Sequence, residues 1–222
     1  GKEDDLMDEM PTYVVKELKP GTEDLGFVVM NRPHSVKIFI EDKEAWDRFI
    51  KEDYVLIAET DHVWLRPVPN EATPDQPVGY HFGYMEAHFR VPLIERFCEG
   101  ASKTMDPVGP SPVIIHVDQL RKVVTPWKDM SFKLKRDPEA DQQLGWVLEM
   151  WGYSIATACM GIKHTVWIEF QFEGGSIGSH LRTMAQFYII HYTYGIEYSA
   201  AGTPMELQVG HWSVDKRHFG RR

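Results

Sequence analysis

The sequence predicts an α/β fold, and three observations carry that prediction. Short apolar runs rich in β-formers recur at Phe27–Met30, Tyr54–Ala58, Val113–His116, Val166–Ile168 and Phe187–Tyr192. Segments with helical apolar spacing lie between several of them, the rhythm of a layered α/β chain. Polar, Gly or Pro residues bound each run, as they bound sheet strands.

Two helices are well signalled. One is expected to start at Thr125-Pro126, a capping Thr followed by Pro at the first helical position. The other is expected after Pro138, with Leu144, Val147, Leu148, Trp151, Ile155 and Ala158 on one face and Gly161 as its stop. A weaker pattern covers His88–Cys98, with Pro92 limiting it. Segments 66–77 and 99–112 are dense in Pro and Gly and read as loops, where an α/β protein places its site.

At 222 residues the chain is long enough for a full core, and it reads as one domain over residues 1–222. Seven Trp, eleven Phe and nine Tyr supply that core and exclude a disordered chain. A net charge of −9 argues against a nucleic-acid partner, which calls for a basic face. No apolar run approaches the roughly 18 residues of a membrane span. The opening Gly1-Lys-Glu-Asp-Asp is not a signal peptide. Cys98 and Cys159 are either one disulfide or two buried thiols; their spacing does not decide.

Four places hold candidate chemistry. In Tyr54-Val-Leu-Ile-Ala-Glu-Thr-Asp-His62 an apolar strand ends in Glu59 and Asp61, followed by an imidazole. Carboxylates at a strand end can hold a hard cation that bridges a diphosphate, although such residues also serve as turns and caps. His191 interrupts the apolar run Phe187–Tyr192, as a core histidine or as a metal ligand. Glu149 stands alone among Trp146, Val147, Leu148, Met150 and Trp151, so it needs a partner such as Lys163 or Arg182, or a cavity wall. Lys216 and Arg217 offer cations suited to phosphate oxygens.

Taken in order, the segments resemble the hydroxyproline O-arabinosyltransferase family of plant and algal enzymes. The matching strings include Leu6-Met-Asp-Glu-Met-Pro-Thr12, Val28-Val-Met-Asn-Arg-Pro33, Tyr54–His62 and Pro67-Val-Pro-Asn70. They continue with Met105–Val113, Lys135–Asp141, Gly145–Tyr153, Ile190–Gly195 and Trp212–Arg217. Peptidyl-serine galactosyltransferases share much of the pattern.

The resemblance implies a GT-A-like fold, a divalent metal (usually manganese), a UDP-sugar donor and residence in the Golgi lumen. The implied reaction moves L-arabinofuranose to hydroxyproline in secreted peptides with retention of configuration. It places Asp61, Glu59 and His191 at the metal, and Asn31 and Arg32 near the nucleotide. Asp106 and Ser111 fall near the donor sugar, Lys216 or Arg217 at the diphosphate, and Glu149 is the candidate catalytic carboxylate. The site is then expected between the C-terminal ends of strands 54–58 and 187–192, with loop 105–112 as one wall. Two departures stand out: the family's first strand and helix are absent ahead of Gly1, so the chain reads as a fragment whose membrane anchor is expected outside it, and Phe170–Gln186 differs from the family pattern. They leave open a non-catalytic relative that binds peptide or nucleotide sugar. A metal hydrolase is a third reading of the same ligands.

Overall fold

The computed structural model describes residues 7, 9–173, 186–191, 196–205 and 211–214. It is an α/β chain that divides into two compact units, one of residues 1–57 and 70–167, the other of residues 58–69 and 168–222.

The first unit contains α1 (Asn31–Glu41), α2 (Lys43–Phe49), β1 (Tyr54–Ile57), β3 (Val78–Tyr80), α3 (Val91–Phe97) and β4 (Val113–His116); β2 (His62–Trp64) belongs to the second unit. It continues through α4 (Val117–Arg136), α5 (Pro138–Leu144), α6 (Leu148–Cys159) and β5 (Thr165–Trp167). Its strands form a mixed sheet in the order β1-β4-β3-β5, with only β3 and β5 parallel. Val113, Ile114 and Ile115 of β4 are all buried, as an inner strand covered on both faces requires. Trp127 of α4 and Tyr153 of α6 pack edge to face, 5.6 Å between centroids, in the core beside β4.

Helix α4 begins at Val117, eight residues ahead of the start expected at Thr125, and Pro126 lies inside it. Pro126 removes one intrahelical bond. The helix continues because Leu120, Val123, Val124, Trp127, Met130 and Leu134 form one buried stripe across that point. The true cap is His116, whose Nδ1 accepts from the Asp118 N–H at 3.2 Å. The expected helix after Pro138 is instead two helices broken at Gly145, whose φ of +49° only glycine adopts easily. Asp137 caps α5 by accepting from the Ala140 N–H at 2.8 Å, ahead of Pro138.

Phe27–Met30 is not a strand. Leu25 and Gly26 turn the chain through positive φ, and Val28–Met30 forms a 3-10 turn leading into α1. Pro92 starts α3 rather than limiting it, since a helix's first N–H groups need no internal partner. The cysteines are joined: a Cys98–Cys159 disulfide ties the ends of α3 and α6, with Cα atoms 6.1 Å apart.

The second unit contains β2 (His62–Trp64), β6 (Gln171–Glu173), β7 (Ile189–His191), β8 (Ile196–Tyr198), β9 (Pro204–Met205) and β10 (Trp212–Val214). One three-stranded sheet runs β2-β7-β6 and another β10-β8-β9. β7 pairs antiparallel with β2 and parallel with β6. β1 and β7 therefore belong to different sheets.

Candidate metal centre

The candidate centre lies wholly within the second unit. After Ala58 the chain turns tightly: the His62 N–H donates to the Glu59 carbonyl at 3.1 Å, and the Glu59 N–H donates to His62 Nδ1 at 3.3 Å. This turn sets Glu59, Asp61 and His62 around one bend. His191 joins them by register, because His62 and His191 are direct partners across β2 and β7. The Leu65 N–H donates to the Tyr188 carbonyl at 2.8 Å. Alternation along the ladder then makes His62 and His191 a non-hydrogen-bonded pair, the kind whose side chains approach most closely. Their rings are 5.0 Å apart, centroid to centroid.

One donor atom each from Glu59, His62 and His191 lies within 4.8 Å of the others. Asp61 Oδ2 is 3.5 Å from His191 Nε2. Two donors each about 2.2 Å from an ion stand at most about 4.4 Å apart, so small side-chain rotations bring these groups onto one cation. A carboxylate–imidazole set suits a transition ion such as manganese or zinc better than magnesium, which prefers oxygen. His62 is not among the ligands expected from the sequence. Its Nδ1 already accepts the Glu59 amide proton, so neutral His62 carries its proton on Nε2. Ligation through His62 requires that hydrogen bond to be given up.

Behind His191 sits a residue that sequence reasoning missed altogether. Gln171 is fully buried on β6, and its amide nitrogen lies 3.4 Å from His191 Nδ1. Nothing in the sequence signals this contact, because it depends on the parallel β6–β7 register.

The other expected site residues that the structure describes belong to the first unit. Asn31 acts on its own chain: Oδ1 accepts from the Leu18 N–H at 2.8 Å and Nδ2 donates to the Val28 carbonyl at 3.1 Å. Arg32 Nη1 meets Glu149 Oε2 at 3.1 Å, and Glu149 is wholly buried. Among the described residues Glu149 pairs with Arg32, while Lys163 binds Asp106 at 3.2 Å; Arg182 lies outside the described residues. Asp106 also accepts from the His164 backbone N–H at 2.7 Å. Burial pushes the Asp106 carboxyl up, but hydrogen bonds from His164 and Lys163 outweigh it and hold the group below its ordinary value. Burial holds His164 below the usual imidazole range, against the pull of Asp106. Ser111 is buried in the first unit. Lys216 and Arg217 lie outside the described residues.

Comparison with known proteins completes the description. Residues 1–166 match the model of the hydroxyproline O-arabinosyltransferase family N-terminal domain, and residues 188–222 the C-terminal domain of that family. The chain is 38% identical over 222 residues to hydroxyproline O-arabinosyltransferase NOD3 of Pisum sativum, covering 99% of this chain and 64% of that protein. It is 40% identical over 220 residues to hydroxyproline O-arabinosyltransferase 3 of Arabidopsis thaliana, covering 98% and 59%. A peptidyl serine alpha-galactosyltransferase of Arabidopsis thaliana is 24% identical over 233 residues, covering 96% of this chain and 25% of the other. The chain thus spans about three-fifths of the length of the curated arabinosyltransferases it matches.

Proposed function

Because this chain belongs to the hydroxyproline O-arabinosyltransferase family, we propose that it is the catalytic part of a metal-dependent glycosyltransferase. The donor is a UDP-sugar carrying L-arabinofuranose, and the acceptor is hydroxyproline in a secreted peptide. Transfer proceeds with retention, on a GT-A-like framework that forms a single catalytic domain. The observation that carries this reading is the convergence of Glu59, Asp61, His62 and His191 from one tight turn and one register pair.

Glu59, Asp61 and His191 would hold a divalent ion, for which manganese fits the mixed donor set. Once bound, the ion supplies positive charge opposite the diphosphate, where negative charge grows as the sugar–phosphate bond breaks. Asp61 and Glu59 set the net charge of the site, and His62 presents an Nε2 proton beside it. Lys216 or Arg217 is assigned to the diphosphate oxygens. Asn31 and Arg32 stay assigned to the nucleotide, and Asp106 and Ser111 to the donor sugar.

For Glu149 the ion pair of its buried carboxylate with the partly buried Arg32 favours a brace between α1 and α6 over a nucleophile. The disulfide fits folding in an oxidising secretory lumen, and the Golgi is the proposed location. Among the described residues no helix is long and apolar enough to cross a membrane.

The test is transfer from UDP-arabinofuranose to a hydroxyproline peptide, with and without manganese, scored against hydrolysis by water. Metal-dependent transfer supports the proposal. Hydrolysis alone would favour a hydrolase, and donor binding with neither reaction a non-catalytic relative.

A further inference from the structure

We propose that Gln171 is a positioning residue that sets which nitrogen of His191 carries the proton, and so whether Nε2 is free to ligate a cation. The inference rests on the metal reading above.

Gln171 is fully buried, and a buried glutamine keeps its place by its hydrogen bonds. Its amide nitrogen lies 3.4 Å from His191 Nδ1, while among the described residues Oε1 has no hydrogen-bond partner. The β6–β7 register pairs Gln171 with Ile189, two residues before His191, so Gln171 and His191 share one face of the sheet. The other imidazole nitrogen, Nε2, lies 3.5 Å from Asp61 Oδ2. His191 is thus held at both ends, by an amide on one side and a carboxylate on the other.

A neutral imidazole has one N–H and one lone pair, and its neighbours decide which nitrogen has which. When the Gln171 NH2 donates to Nδ1, the proton sits on Nε2 and points to Asp61. That tautomer cannot ligate through Nε2. When the amide turns over, Oε1 accepts from Nδ1–H, and the Nε2 lone pair is released toward Glu59 and Asp61. An amide serves both states, since it carries donor and acceptor on the same carbon. The first state satisfies the ion-free centre; the second satisfies the loaded one. Partners that accept from the far N–H of a ligating histidine fix its tautomer and raise its basicity, and losing them weakens metal binding about 10–100-fold.

Binding of Mn²⁺ alone, with no nucleotide or acceptor, is measured for the wild-type chain, Gln171→Leu and Gln171→Glu by calorimetry or by the spin resonance of free Mn²⁺. The leucine variant should bind at least about 10-fold more weakly. The glutamate variant keeps an acceptor on Nδ1–H and should bind as tightly as wild type or more tightly. Equal weakening by both variants, or no change in either, would overturn the inference. If the leucine variant does not fold, nitrogen-15 spectra of wild-type His191 decide, with Zn²⁺ as the diamagnetic probe. The expected result is an Nε2–H tautomer without the ion and Nδ1–H with it; an unchanged tautomer refutes the switch. A wild-type chain that binds neither ion overturns the metal reading and this inference together. Tight wild-type binding that ignores residue 171 overturns this inference alone.

Discussion

Arg32 and Glu149, 117 residues apart in sequence, form an ion pair of 3.1 Å in which the Glu149 side chain is wholly buried and the Arg32 side chain about three-quarters buried. Breaking such a pair from one side leaves a charge without compensation. Glu149→Gln keeps the shape and one acceptor, so it should cost about 1.5–3 kcal/mol in a denaturant titration. Activity per folded molecule should survive. Lost turnover at an unchanged melting temperature would instead make Glu149 the catalytic carboxylate.

Helix α6 lies tightly against α4 at Gly152. A Cβ built there would lie 2.2 Å from Ser131 Oγ and 3.0 Å from its Cα. The Oγ could turn away, but the helix backbone could not. Gly152→Ala should therefore destabilise the chain by about 1–3 kcal/mol, read as a shift in the denaturant midpoint.

Much of this framework is legible in the sequence. The apolar runs at 54–57 and 113–116 are strands, and the stripe from Leu144 to Ala158 is buried apart from Val147. The errors come from signals that tertiary packing outweighs. Thr125-Pro126 looks like a helix start, yet a buried stripe carries α4 through it. The Arg32 partner of Glu149 is illegible because no local pattern encodes a contact across 117 residues. At the centre, Glu59, Asp61 and His191 could be picked out as residue types, whereas the parts played by His62 and Gln171 depend on strand register. A slip of one residue in β2 or β6 would point either side chain to the other face.

Asp106 and His164 make acid a specific threat to the first unit. His164 is held below its ordinary value of 6.5, so the unfolded chain binds more protons below that pH. Its contribution is complete above about pH 6.5 and is lost as pH falls toward the folded value. Asp106, held below 3.8, adds a second loss at lower pH still. The melting temperature should fall from pH 7 to pH 4.5, and His164→Gln should flatten the upper part of that fall. An equal slope in the variant would remove His164 as the cause.

The Cys98–Cys159 bond closes a 61-residue separation. Reduction should lower stability by about 2–4 kcal/mol, and the double serine variant should no longer respond to reductant. Two free thiols found on denaturing without reductant would contradict the pairing.

Binding of Mn²⁺ to the chain and to its Asp61→Asn and His191→Gln variants tests the metal centre most directly. Asp61 and His191 are 130 positions apart in sequence yet 3.5 Å apart in space. One site of wild-type stoichiometry should weaken at least about 10-fold in each variant, with the melting temperature of the ion-free chain little changed. Mg²⁺ should compete poorly, since an imidazole ligand favours the transition ion. Wild-type affinity retained in both variants would show that the ion binds elsewhere and that no metal centre exists at Glu59, Asp61 and His191.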